Sequence, residues 1–113
     1  MSTAKYIPDR GDIIWINLNP VIGHEQSGHR PVLVVSNIVM AKAIGLAIVV
    51  PITSKVKNMP FEVLINGKTI KGAVLPFQLR TVDIKVREVR YIEKASRDTL
   101  ELVCDSLNNI INK

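Results

Sequence analysis

The apolar segments of this 113-residue chain are short, and glycine, proline and asparagine interrupt the sequence between them. Segments of this kind, rich in valine and isoleucine, are typical of β-strands. Six strands are predicted: Asp12–Leu18, Pro31–Ser36, Leu46–Pro51, Phe61–Ile65, Thr69–Leu75 and Arg87–Ile92. Asn66-Gly67 lies between the fourth and the fifth, and both residues tolerate the positive φ of a tight hairpin turn. Many short strands at regular spacing favour a small barrel.

The C-terminal segment has helical periodicity instead. Its predicted apolar face consists of Leu100, Val103, Cys104, Leu107, Ile110 and Ile111. Ser96 or Asp98 could cap the start of this helix, and Leu102 lies off the apolar face, which suggests a second buried face against another subunit. A short helix is also predicted at Ile38–Ala43. We therefore expect a single domain, residues 1–113, that is mainly β with a C-terminal helix.

The chain is basic, with a formal net charge of +5 and an isoelectric point near 9.6. This charge favours a polyanionic partner such as nucleic acid, an acidic protein segment or an anionic membrane, although it could equally serve solubility. Hydrophobic residues make up 47% of the chain, which is enough for a core. Aromatic residues make up 4%, which argues against a sheet that stacks RNA bases on rows of aromatic side chains.

No segment has the pattern of a membrane span or a secretion signal. The longest apolar stretch, Ala43–Ile52, is interrupted by Gly45 and Pro51 and falls short of the roughly 20 residues that a span needs. The N-terminal residues lack the apolar core of a signal peptide, so a cytoplasmic protein with no membrane contact is expected. With two histidines, one cysteine and no clustered carboxylates, the sequence offers no metal-ligand set, and no cofactor is expected.

A run of polar, protonatable and glycine residues at 23–31 leads directly into an apolar strand, and functional sites commonly lie on such loops. Cleavage of RNA by its own 2′-hydroxyl suits side chains of this kind, because it needs only a base, a guanidinium and a hydrogen-bond donor. The candidate bases are Glu25, His24 and His29, the guanidinium is Arg30, and the hydroxyl is Thr53 or Ser54. Equally, Arg30 could simply pair with Glu25, the histidines could stabilise the loop, and Lys55 and Lys57 could form a solvated face.

Taken in order, several motifs resemble the MazF/PemK toxin family. They are Arg10–Trp15, Asn19-Pro20, Gly23–Val32, Val50–Ser54 and Pro60–Val63, and they extend over almost the whole chain. The resemblance implies a small SH3-like β-barrel of the MazF/PemK/CcdB type, assembled as a homodimer. It also implies the toxin of a type II toxin–antitoxin system, a metal-independent, sequence-specific endoribonuclease that cuts single-stranded mRNA to 2′,3′-cyclic phosphate and 5′-hydroxyl ends. The expected protein partner is an acidic antitoxin with a flexible tail.

Carried over by position, the resemblance implies that Arg30 and Thr53 form the catalytic pair. Arg30 would stabilise charge on the transition state and Thr53 would position the phosphate, with Glu25 or His24 as the base. The further residues expected to contact RNA are His29, Ser54, Phe61, Gln78 and Arg80.

The chain departs from the family at two positions before Gln78. Many members have an acidic residue where this chain has Phe77, and one branch has a catalytic arginine where it has Leu75. The cut sequence is therefore not implied.

Two other functions share this fold. A barrel that binds RNA or protein without cutting is one alternative, although retention of Glu25, Arg30 and Thr53 favours catalysis. A gyrase-poisoning toxin is the other, but such toxins rely on a C-terminal Trp-Gly-Ile, whereas this chain ends Ile110-Ile111-Asn112-Lys113.

Overall fold

The computed structural model describes residues 5–18 and 28–112. The described elements are, in order, β1 (Asp12–Asn17), β2 (His29–Val34), α1 (Ile38–Ile44), β3 (Leu46–Thr53), β4 (Val63–Asn66), β5 (Lys71–Val74), a 3₁₀ turn (Pro76–Gln78), β6 (Arg80–Asp83), β7 (Val89–Lys94) and α2 (Arg97–Ile111). Strands dominate and a helix closes the described chain, which confirms the mainly β fold class. The short helix at α1 is confirmed as well.

Within these residues, seven antiparallel strands form one sheet in the order β4-β5-β3-β2-β1-β7, with β6 also paired to β3. Strand β3 organises the sheet because one of its edges is divided between two partners. Its first half, Leu46–Val49, pairs with β6, whereas Ile52 and Thr53 at its end pair with β5. The part of the sheet that contains β6 and the part that contains β4 and β5 therefore meet along β3, close to its end.

The core lies on both faces of the central strands. One apolar cluster consists of Ile14, Ile16, Leu18, Val32, Val34, Ala41, Ala47, Val49, Val82 and Ile84. The other consists of Ile13, Leu33, Val50, Ile52, Val63, Ile65, Val74 and Val103. Because successive strand residues point to opposite faces, a strand buried on both sides is apolar throughout. This explains the unbroken apolar run in β2.

Helix α2 begins as the sequence predicts, because the Ser96 hydroxyl accepts a hydrogen bond from the Thr99 backbone N–H. Asp98 lies in the first turn rather than at the cap. Val103 is fully buried, whereas the Leu102 side chain is 56% exposed. The helix thus covers the second apolar cluster with one face and leaves Leu102 on the surface of the chain.

Two features of the fold differ from the sequence prediction. Strand β6 and the 3₁₀ turn before it were not predicted. In the hairpin, Asn66 pairs with Lys71, and the loop is the four residues 67–70, closed by a 2.8 Å hydrogen bond from Gly67 N–H to Ile70 O. The predicted hairpin between β4 and β5 is therefore confirmed, although neither Asn66 nor Gly67 is among the residues with positive φ.

Candidate active site at the end of strand β3

The register of β2 against β3 brings two predicted catalytic residues together. Val32 pairs with Pro51 and Val34 with Val49. Continuing this antiparallel register by two residues places Arg30 opposite Thr53, on the same face of the sheet. Arg30 is half-buried and Thr53 is 8% exposed, and both line one cavity of about 400 Å³.

Apart from Arg30 at the start of β2, the cavity is lined by two segments. The first is the end of β3 and the extended loop after it, and the second is the 3₁₀ turn after β5. The lining residues are Arg30, Thr53, Ser54, Lys55, Lys57, Met59, Glu62, Leu75, Phe77 and Gln78. Three of them are cationic and one is anionic, so the cavity has a positive balance that suits a phosphate group.

The Thr53 hydroxyl is oriented by its own chain. Its Oγ1 accepts a hydrogen bond of 3.1 Å from the Lys55 backbone N–H. A hydroxyl has one hydrogen to donate and two lone pairs to accept with. With one lone pair engaged by the backbone, the Thr53 hydroxyl retains its hydrogen for a phosphate oxygen in the cavity.

Strand β5 approaches the Thr53 backbone unusually closely at Gly72. Gly72 has a φ of +145°, and a Cβ built on it would lie 2.0 Å from the Thr53 carbonyl oxygen and 3.1 Å from Ser54 Cα. Only glycine can occupy such a position without moving the neighbouring strand. Gly72 therefore lets β5 support the residue that carries the hydroxyl.

The β4–β5 hairpin is in turn held by a carboxylate from β7. Glu93 accepts hydrogen bonds of 2.9, 2.9 and 2.8 Å from the backbone N–H groups of Lys68, Thr69 and Ile70. Burial raises the pKa of this carboxyl, but the three backbone hydrogen bonds outweigh burial and hold the pKa below its ordinary value. The anionic form of Glu93 thus fixes the hairpin loop.

The loop after β3 folds back into the cavity through a second carboxylate. Glu62 accepts hydrogen bonds from the backbone N–H groups of Asn58 (3.0 Å) and Lys57 (3.4 Å). Asn58 has a φ of +53°, a conformation that asparagine adopts more readily than most residues. This closure brings Lys55 and Lys57 to the cavity.

The structure brings four of the predicted site residues together at the cavity: Arg30, Thr53, Ser54 and Gln78. His24 and Glu25 lie outside the described residues.

Three further predicted residues lie elsewhere. Phe61 is 50% exposed, and its carbonyl oxygen accepts a 2.8 Å hydrogen bond from Ser106 of α2. The Arg80 guanidinium donates to Leu18 O at 2.8 Å, and the ring of His29 stacks on Trp15.

Several cavity residues were not predicted from the sequence. Met59 and Glu62 were not among the candidates, and Lys55 and Lys57 were interpreted as a solvated face. Both lysines are exposed, but they also line the cavity. The signal available in the sequence was that these residues follow closely after Thr53, a predicted site residue.

Residues 9–111 match the family of PemK-like, MazF-like toxins of type II toxin–antitoxin systems, and the chain belongs to that family. The Escherichia coli K12 endoribonuclease toxin MazF is 32% identical over 108 residues, which cover 96% of this chain and 97% of MazF. Bacillus subtilis endoribonuclease EndoA is 37% identical over 83 residues, covering 68% and 72%. The chain is thus an endoribonuclease toxin of this family, which confirms the expected class.

The fold comparison agrees with the family. The crystal structure of MazF from Deinococcus radiodurans superposes with a TM-score of 0.91 and 34% identity, covering 96% of this chain and all of that one. A MazE–MazF structure from the same organism superposes at 0.83 with 30% identity, covering 95% and 97%. The SH3-like barrel of the MazF/PemK type is therefore confirmed.

Two properties concern only the residues that the structure describes. No helix among them has both the length and the apolar character that crossing a bilayer requires. No group of three or more His, Cys, Asp or Glu side chains among them could hold a metal ion.

Proposed function

We propose that the cavity at Arg30 and Thr53 is where this toxin cleaves single-stranded mRNA at a specific sequence and without a metal ion. The 2′-hydroxyl of the substrate would attack the adjacent phosphate, and the 5′-oxygen would leave. The products would be a 2′,3′-cyclic phosphate and a 5′-hydroxyl. The observation that carries this proposal is that Arg30 of β2 and Thr53 of the adjacent strand β3 line the same cationic cavity.

Arg30 has the electrostatic role in this mechanism. Charge accumulates on the non-bridging oxygens as the phosphate becomes five-coordinate, and a guanidinium can donate two parallel hydrogen bonds to them. Guanidinium groups remain protonated at ordinary pH, so Arg30 is better suited to hold charge than to transfer a proton. Thr53 donates its hydroxyl hydrogen to the same phosphate and fixes its orientation.

The general base is Glu25 or His24 in this proposal. Among the described residues that line the cavity, the carboxylate is that of Glu62, and both of its oxygens already accept backbone N–H groups. These hydrogen bonds hold the Glu62 side chain against the loop after β3. Glu62 is therefore assigned to shaping the loop and not to proton transfer.

The proposed protein partners are an acidic antitoxin and a second copy of the chain. The similar MazE–MazF structure and the toxin–antitoxin family support an antitoxin as a partner. The net charge of +5 suits an acidic segment that competes with RNA for the same cavity. A homodimer would use the exposed Leu102 on α2, and a cytoplasmic location fits an enzyme acting on mRNA.

The experiment is metal-free cleavage of a long single-stranded RNA in excess EDTA, with the new 5′ ends mapped. We expect cuts at one short recurring sequence that carry 5′-hydroxyls. Arg30→Ala should lower the rate by about 10²–10³-fold, the range for loss of one charge-stabilising donor. Thr53→Val, which keeps the shape of the side chain, should lower the rate by at least about tenfold.

The opposite result would be intact RNA from folded protein that is free of antitoxin. That outcome would favour a barrel that binds RNA without cutting it. Cleavage that requires a divalent ion, or that is unchanged in Arg30→Ala, would also contradict the mechanism.

A further inference from the structure

A second site of aromatic and cationic side chains lies beside the cleavage cavity. The ring of His29 on β2 stacks on Trp15 of β1, with 6.3 Å between the ring centroids and 19° between the planes. Arg90 of β7 lies directly across from Trp15 on its other side. Trp15 and Arg90 line a cavity of about 460 Å³ together with Thr69, Ile70, Tyr91 and Ile92. We call Trp15, His29 and Arg90 the stacking platform.

The platform is not explained by packing of the core. Trp15 belongs to neither apolar cluster and is only half-buried, although it is the chain's single tryptophan. His29 and Arg90 are exposed. Within residues 5–18 and 28–112, the carboxylate ion pairs are those of Asp12 with Lys94 and Glu101 with Arg97, so no described carboxylate neutralises Arg90.

The platform and the cleavage cavity meet at the start of strand β2. His29 and Arg30 are the first two residues of β2, so they point to opposite faces at the end of one strand. A chain that passes over this strand end can contact Arg30 on one side and His29 on the other. The platform extends from β2 across β1 to β7, which is two inter-strand spacings or about 10 Å. Because His29 is the residue next to Arg30, a strand held at Arg30 can reach the platform within a few nucleotides.

We propose that the stacking platform binds an unpaired RNA base next to the cleavage site, with Arg90 contacting a phosphate of the same strand. Flat aromatic faces beside a free cation are the combination that binds single-stranded nucleic acid, because every base has a face to stack and every nucleotide a charge. An acidic protein segment would use the cation alone and leave the Trp15–His29 stack without a function. This inference rests on the proposed RNA substrate and extends its binding site.

Because Trp15 is the only tryptophan, intrinsic fluorescence reports directly on the platform. The probe is an RNA oligonucleotide that spans the mapped cut sequence and carries a 2′-O-methyl group at the cut position, titrated in EDTA. We expect the Trp15 emission to change on binding, and a trimmed oligonucleotide lacking the flanking nucleotides to bind without this change. Single-turnover cleavage of the unmodified RNA is measured in parallel.

Three variants test the contacts. Trp15→Ala should weaken binding of the full oligonucleotide about 5- to 150-fold, and Trp15→Phe, which keeps an aromatic ring, should weaken it less. Arg90→Gln should weaken binding and reduce the salt slope of the affinity by about 1. Arg97→Gln is the matched control, because its side chain is 90% exposed on α2 and its loss changes the net charge equally. It should bind within about twofold of the unmodified protein. Thermal melting verifies that each variant is folded.

The outcomes separate this inference from the proposed function. Normal cleavage with no fluorescence change, and equal binding by Arg90→Gln and Arg97→Gln, would overturn the platform while leaving the function intact. A fluorescence change on RNA binding without any cleavage would support the platform and contradict the function. A change produced by an acidic antitoxin peptide but not by RNA would assign the site to a protein partner and overturn the inference.

Discussion

Substitution of Gly72 by alanine should separate folding from catalysis, because the new methyl group points at the backbone of Thr53. The built Cβ lies 2.0 Å from the Thr53 carbonyl oxygen, whereas an unstrained carbon–oxygen contact is about 3.3 Å. The two strands must therefore separate by more than about 1 Å. We expect overpacking to cost about 1–3 kcal/mol, with about 1–3 kcal/mol more for alanine at a φ of +145°.

The combined loss is about 2–6 kcal/mol, so a domain with an unfolding free energy of about 10 kcal/mol, the middle of the typical range, would remain largely folded at 25 °C. The cleavage rate should nevertheless fall about 10²-fold, since a displacement of about 1 Å at a catalytic group has effects of that size. The assay is single-turnover cleavage of the mapped RNA on protein whose folding is verified by a thermal melt.

Gly45→Ala is the matched control for Gly72→Ala. Gly45 also has a positive φ, +72°, but its Cβ would meet the flexible end of the Lys85 side chain at 2.5 Å instead of backbone. We expect a loss of about 1–2 kcal/mol and unchanged cleavage per folded molecule. If folded Gly72→Ala cleaves within about threefold of the unmodified protein, β5 does not position Thr53 and the reasoning fails.

Three further predictions concern charged groups. Arg30→Lys should retain charge but lose the two-pronged geometry, so its cleavage rate should fall at least about tenfold with RNA affinity nearly unchanged in a binding titration. Glu93→Gln should lose charge-assisted hydrogen bonds to the hairpin loop, and faster amide hydrogen exchange at residues 68–70 would verify this. Burial raises the pKa of Asp12, but hydrogen bonds from Lys94, Tyr6 and the backbone outweigh burial and lower it. Its contribution to stability is therefore present above its ordinary pKa near 3.8 and is lost as pH falls through the lowered value. In acid melts Asp12→Asn should show a shallower decline below about pH 4 than the unmodified protein, and parallel curves would contradict this assignment.

The strands that the sequence predicts well are those whose burial is visible in their own residues. β1, β2 and the first part of β3 are apolar on both faces, so they could be predicted without knowledge of their partners. β6 could not, because Val82 is its one buried residue and its strand geometry depends on pairing with Leu46–Val49. The hairpin itself could be predicted, but the conformation of its loop could not, since the carboxylate that shapes it lies about 25 residues away at Glu93.

The site shows the same division between local and distant information. Arg30 and Thr53 were each predicted from their own motifs, but their opposition depends on the register of β2 against β3, which no short motif contains. The resemblance predicts that Phe61 contacts RNA. In the structure its backbone has a φ of +69° and its carbonyl is bound to Ser106, so the residue is held against α2 rather than at the cavity.

These contacts give Arg30 and Thr53, the proposed catalytic pair, two independent supports. The position of Arg30 follows from the start of β2, whose following residues are buried in both apolar clusters and therefore rigid. The position of Thr53 follows from the end of β3, where Gly72 permits the close approach of β5. Glu93 in turn fixes the loop of the hairpin that contains β5. Damage to the hairpin should therefore displace the hydroxyl and leave the guanidinium in place. Such variants should bind RNA with nearly normal affinity and cleave it slowly, whereas loss of Arg30 itself should weaken both.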